Sequence, residues 1–89
     1  MITETYEIRL KRLKMRSMRR GIKEMDIILS GFSDLHLIDM SGAQLDLYED
    51  FLDENDQDLY QWVSGQVAGY PQYEPLLKQI KVYLKSRYW

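Results

Sequence analysis

The chain reads as all-α, a compact five-helix bundle, on three observations. Apolar residues recur at helical spacing through most of its 89 residues. No stretch sustains strand-like alternation, and no Asn-Gly or Asp-Gly hairpin turn occurs. Helix start and stop signals punctuate the chain at short intervals, so connections are short and neighbouring helices run antiparallel. This length supports one domain, residues 1–89, burying roughly 60–65% of its unfolded surface.

The elements follow in order. Residues near 4–19 place Tyr6, Leu10 and Leu13 at i, i+4 and i+7, with Ile8, Met15 and Met18 alongside. Arg19 and Arg20 sit where cations favour a helix C-terminus, and Gly21 suits the position just beyond it. A second helix runs from about Ile22 to Leu37, with Ile22, Met25, Ile28, Leu29, Phe32 and Leu35 on one broad face. Ile27 falls off that face and needs cover from the fold or a partner. Gly31 costs about 1 kcal/mol relative to Ala and marks a bend or a close contact. Ser41 and Gln44 form a capping-box signature for a third helix, about 42–53, whose core face is Leu45, Tyr48, Phe51 and Leu52. Asn55 or Asp56 caps a short fourth helix carrying Leu59, Trp62 and Val63, which ends at Gly65. A loop follows. The last helix starts near Tyr73, tolerates Pro75 in its first turn, and buries Leu76, Leu77, Ile80, Tyr83 and Leu84.

Composition excludes several functions. There is no cysteine, hence no disulfide framework, thiolate metal site or thiol nucleophile. No apolar run approaches the ~20 residues of a membrane span. His36, the one histidine, lies beside the Phe32 stripe and reads as a partly buried side chain. No phosphate loop, serine elbow or metal-ligand spacing occurs. The basic start could suggest a transit peptide, but Glu4 and Glu7 and the helical pattern place it in the fold.

The net charge of −2 conceals a strong asymmetry. Eight of the twelve basic residues lie between Arg9 and Lys23, while seven acids fall between Asp46 and Asp58 with no base among them. Such a chain can steer a charged partner, although each cluster is also accounted for as a solvated helix face. The cations of the first helix read as spread around it, and the acidic third helix would repel phosphates, so nucleic-acid binding is disfavoured. The stretch RRGIKEMDIIL, residues 19–29, works as a helix joint, its arginines and its two acids, Glu24 and Asp26, complementing helix dipoles.

The wider frame carries more. The basic helix ending in RSMRRG, then Glu24-Met25-Asp26, Ile28-Leu29 and Phe32, the block SGAQLDLYEDFLDENDQDLYQWVSG and the PLLKQIK of the last helix stand in sequence. In these residues, about 10–84, the chain resembles the succinate dehydrogenase assembly factors, also called FAD assembly or flavinylation factors. The resemblance implies a small five-helix protein that binds the flavoprotein subunit of succinate dehydrogenase, and in some bacteria of fumarate reductase. It implies promotion of covalent attachment of FAD held by that client, with no cofactor tightly bound by the factor itself and no enzymatic turnover. The family's Arg-Gly-x-x-Glu surface falls on Arg20, Gly21 and Glu24, with Met25 where many members have leucine. On this footing Gly21 admits the client backbone, Arg20 and Glu24 bond to it, and Arg16, Arg19 and Lys23 aid encounter. Asp26 either caps the second helix or joins the contact. The expected protein is a monomer that binds neither nucleic acid nor membrane. It would work in a bacterial cytoplasm, or in the mitochondrial matrix if eukaryotic. The alternative is a regulatory binding protein, antitoxin-like or nucleic-acid-binding.

Overall fold

The computed structural model describes residues 4–88. Five α-helices account for the fold: α1 Tyr6–Arg16, α2 Lys23–His36, α3 Gly42–Leu52, α4 Asp56–Val63 and α5 Glu74–Arg87. Short 3-10 turns at Leu37–Asp39 and Pro71–Tyr73 interrupt the connections, the second where the sequence suggests only a loop. No strand occurs among the described residues.

Local chemistry sets most boundaries. Thr5 Oγ1 accepts from the Ile8 N–H at 3.1 Å and starts α1. At α3 the capping box forms in both directions: Gln44 N–H donates to Ser41 Oγ at 3.2 Å, and Ser41 N–H donates to Gln44 Oε1 at 2.8 Å. Asn55, rather than Asp56, caps α4, its Oδ1 accepting from Gln57 N–H at 2.8 Å. That choice leaves the Asp56 carboxylate available elsewhere. Gly65 takes the left-handed conformation, φ 83°, and closes α4 with Gly65 N–H on Trp62 O and Gln66 N–H on Gln61 O. Pro75 lies in the first turn of α5, where its missing N–H costs nothing.

The core lies among α2, α3, α4 and α5. Met25, Ile28, Leu29 and Phe32 meet Leu45, Tyr48, Phe51 and Leu52 of α3, Leu59, Trp62 and Val63 of α4, and Leu76, Leu77, Ile80, Tyr83 and Leu84 of α5. Trp62 is buried, as its spacing suggests. His36 is half-buried and stacks on Phe32, ring centroids 4.8 Å apart. Gly31 marks a close contact: a Cβ there would stand 2.1 Å from the Tyr83 hydroxyl. Leu35 and Ile27 are exposed, so the second-helix face is narrower than its pattern suggests.

The first helix departs most from expectation. It ends at Arg16, short of Arg19, and of its own residues buries only Leu13. Tyr6, Ile8 and Met15 are exposed. In place of an apolar face, α1 turns charge toward α3. Arg9 pairs with Asp46 and Glu49, Arg12 with Glu49 and Glu4, and Arg16 with Asp53. The cations that read as scattered therefore include a stripe at three- and four-residue steps, met by acids at the same steps. Lys14 pairs with Asp34 of α2 on another side. The hydrogen bonds from Arg12 hold the Glu49 and Glu4 carboxyls below the ordinary glutamate range.

Candidate functional site

The candidate site is the link between α1 and α2, built up from Ser17. This buried hydroxyl donates to Leu13 O at 2.8 Å and lies 2.6 Å from the Tyr48 hydroxyl. With the serine proton on the Leu13 carbonyl, Tyr48 donates to Ser17 Oγ. Burial pushes the Tyr48 phenol up to about 12. This buried pair sits where the chain leaves the helix after Arg16, at its C-cap residue.

The turn is completed by Arg19, not by Gly21. Arg19 has φ 52°, in the left-handed region, while Gly21 does not lie there. The conformational reason for a glycine at the end of a helix therefore fails at Gly21. The Arg19 side chain is exposed.

Arg20 turns under the link. Its Nη1 donates to Arg16 O at 2.9 Å, its Nη2 to Leu52 O at 2.9 Å, and its Nε to Asp56 Oδ1 at 2.7 Å. One guanidinium thus fastens the last residue of α1, the last of α3 and the first of α4, taking up carbonyls that helix ends leave without partners. Its side chain is only 11% exposed. The second Asp56 oxygen, Oδ2, accepts the Gly21 N–H at 2.6 Å. Asp56 heads α4, where a carboxylate also complements the helix dipole. A Cβ at Gly21 would stand 3.0 Å from that oxygen.

The Arg20 guanidinium turns inward, toward the ends of α1, α3 and α4. One bond from each of its three nitrogens is made within the chain, to Asp56 and two main-chain carbonyls. Arg20 pairs with Asp56 and not with Glu24, four residues on. Gly21, Lys23 and Glu24 are exposed around the fastened arginine, and Met25 drops into the core beside them. Asp26 makes no side-chain cap on α2; it is half-buried and accepts from Ser30 Oγ at 3.1 Å. Arg16 faces α3 through its ion pair with Asp53. A shallow groove lined by Glu24, Ile27, Ile28, Tyr60, Leu84 and Tyr88 opens beside the corner.

Asp56 is the residue of this corner that sequence reasoning passed over, treating it as one of two caps. Its signal was the run of arginines Arg9, Arg12, Arg16 and Arg20 set against the acids Asp46, Glu49, Asp53 and Asp56, both at three- and four-residue steps. Among the described residues no group of three or more His, Asp or Glu is arranged to hold a metal ion, and no helix is long and apolar enough to cross a membrane.

Fold and site together define a small all-α protein whose distinguishing feature is a charged corner at a helix joint rather than a cavity of reactive side chains. The chain belongs to the family described as flavinator of succinate dehydrogenase, whose profile matches residues 11–84. It is 46% identical over 61 residues to a mitochondrial succinate dehydrogenase assembly factor 2 of Meyerozyma guilliermondii, covering 68% of this chain and 45% of that one. It is 43% identical over 63 residues to the protein of the same name from Candida glabrata, covering 71% and 41%. It is 35% identical over 86 residues to succinate dehydrogenase assembly factor 2-B, mitochondrial, of Drosophila persimilis, covering 93% and 55%. These relatives are longer proteins, and the chain spans about half of each.

Proposed function

We propose that this chain is a non-enzymatic maturation factor that docks on the flavoprotein subunit of succinate dehydrogenase and favours covalent attachment of FAD there. The observation that carries this reading is the exposed corner of Arg19, Gly21, Lys23 and Glu24, braced by Arg20, in a chain whose family is named for flavinating that enzyme. Fumarate reductase is a second client of the same chemistry. The factor acts as a monomer wherever that client matures, the mitochondrial matrix or the bacterial cytoplasm.

Such attachment needs a proton to leave the flavin 8-methyl group and negative charge to be held on the ring while a client histidine adds. The client holds both the FAD and the nucleophile. A small docked protein supplies geometry, because reactants held in a near-attack arrangement face a lower barrier. It also changes the electrostatic field near the ring. Glu24 and Arg19 are the side chains placed to bond the client, with Lys23 assisting encounter; Arg16 and Asp26 lie at the margin, each engaged within the fold. Charge-assisted bonds of this kind orient two surfaces as well as join them.

The test is co-expression of the cognate dehydrogenase subunit with wild-type or variant factor in a strain lacking its own, read by in-gel flavin fluorescence. Wild type restores covalent flavin, and Glu24→Ala and Gly21→Arg do not. Unchanged covalent flavin with both variants would remove the proposed contact. The nucleic-acid alternative is not favoured, since Arg9, Arg12, Arg16 and Arg20 are bound to carboxylates of the same chain.

A further inference from the structure

We propose that Gly21 is required by Asp56 of its own chain and not by an approaching client, and that Asp56 is the positioning residue that sets the presented corner. This inference rests on the docking role above, and goes beyond it by assigning the glycine to an internal latch.

The geometry is specific. One carboxylate receives Arg20 Nε on Oδ1 and Gly21 N–H on Oδ2, at 2.7 and 2.6 Å. Two donors from consecutive residues fix both oxygens, so the carboxylate cannot rotate away without losing one of them. The side chains are sheltered, 11% exposed for Arg20 and 18% for Asp56, where charge-assisted bonds are less screened than at an open surface. Gly21 has no left-handed φ, so its backbone conformation is open to any residue. What the position lacks is space: a Cβ would meet Oδ2 at 3.0 Å, tighter than ordinary contact, against an atom held in place by a hydrogen bond. A side chain at Gly21 therefore displaces Asp56, loosens Arg20 from the ends of α1 and α3, and shifts the backbone that aims Arg19 and Glu24.

A double-mutant cycle tests this. Gly21→Ala, Asp56→Ala and the double variant are compared with wild type for urea unfolding of the isolated factor and for affinity toward the dehydrogenase flavoprotein subunit. Measurements are made well below the unfolding midpoint. Glu49→Ala serves as a control that breaks ion pairs of the same helix interface away from the corner. The expected result is a coupling of about fivefold or more in both readouts, the size found for residues in direct contact. Gly21→Ala weakens client binding in the wild-type background and has little effect once Asp56 is alanine. Glu49→Ala lowers stability and leaves client affinity unchanged. A purely structural Asp56 would lower affinity no more than Glu49→Ala does, which overturns the positioning role. Equal losses from Gly21→Ala in both backgrounds overturn the latch and assign the glycine to the client. Failure of wild-type factor to bind the subunit overturns the docking role instead, and the latch then stands or falls on the unfolding cycle alone.

Discussion

At the scale of single residues, crowding and burial decide outcomes that composition leaves open. Gly31 faces the Tyr83 hydroxyl so closely that Gly31→Ala, a helix-favouring change in an open helix, destabilises here by about 1–3 kcal/mol. The urea midpoint checks it, and the loss shrinks in a Tyr83→Phe background, where the hydroxyl is gone. Tyr48 makes a second case. Unfolded, its phenol ionises near 10.0; folded, burial pushes it up to about 12. Between those values the folded chain holds a proton that the unfolded chain has lost. The contribution is complete below the lower value and falls as pH rises through the interval, by on the order of 2–3 kcal/mol. Tyr48→Phe removes this share of the alkaline loss, measured as unfolding free energy across the interval, and leaves that of Tyr73 and Tyr83, whose phenols burial also raises. Tyr48 was legible as core from its spacing, but its bond to Ser17 was not, because a serine after a basic run looks like an exposed helix end.

At the scale of elements, α1 is the weakly held piece. It buries one leucine, with Leu10 packed at the core's edge and the Tyr6 hydroxyl on Ile38 O, and otherwise depends on ion pairs, each contributing about 0–1 kcal/mol where exposed. Leu13→Ala therefore costs about 2–5 kcal/mol and releases α1 first. Amide hydrogen exchange is the measurement, with protection lost from residues 9–16 before α5. Acid acts on the same joint. Glu49 and Glu4 have carboxyls lowered by hydrogen bonds from Arg12, so their stabilisation is present above the ordinary glutamate pKa and disappears as pH falls through the folded values. Exchange in α1 should accelerate below roughly pH 4, and Glu49→Gln should remove most of that dependence. Helices α3 and α4 were legible because cap and apolar spacing agree in each, and α5 because its apolar spacing agrees with a proline in its first turn. The end of α1 was not, since arginines before a glycine imitate a helix C-terminus while Arg20 is in fact bonding across to Leu52 and Asp56.

At the scale of the molecule, the charge asymmetry of the chain is largely spent on itself. The basic helix and the acidic span neutralise each other along one interface, which leaves Arg19, Lys23 and Glu24 as the exposed charges of the corner. Long-range steering by the whole basic helix is therefore weaker than its composition suggests. Client association should slow only modestly with added salt, in proportion to those few groups. Stopped-flow association rates at increasing salt check this, and Lys23→Ala should reduce the remaining slope.

The sequence by itself determined the helical class, the order of the helices, most of the core and the family, because helix period, capping residues and motif order are local properties of the chain. Only the tertiary structure decided which way Arg20 points and what Gly21 makes room for. Both depend on Asp56, some thirty-five positions away along the chain, and the meeting of two such distant groups follows from how α1, α3 and α4 converge rather than from any neighbouring residue.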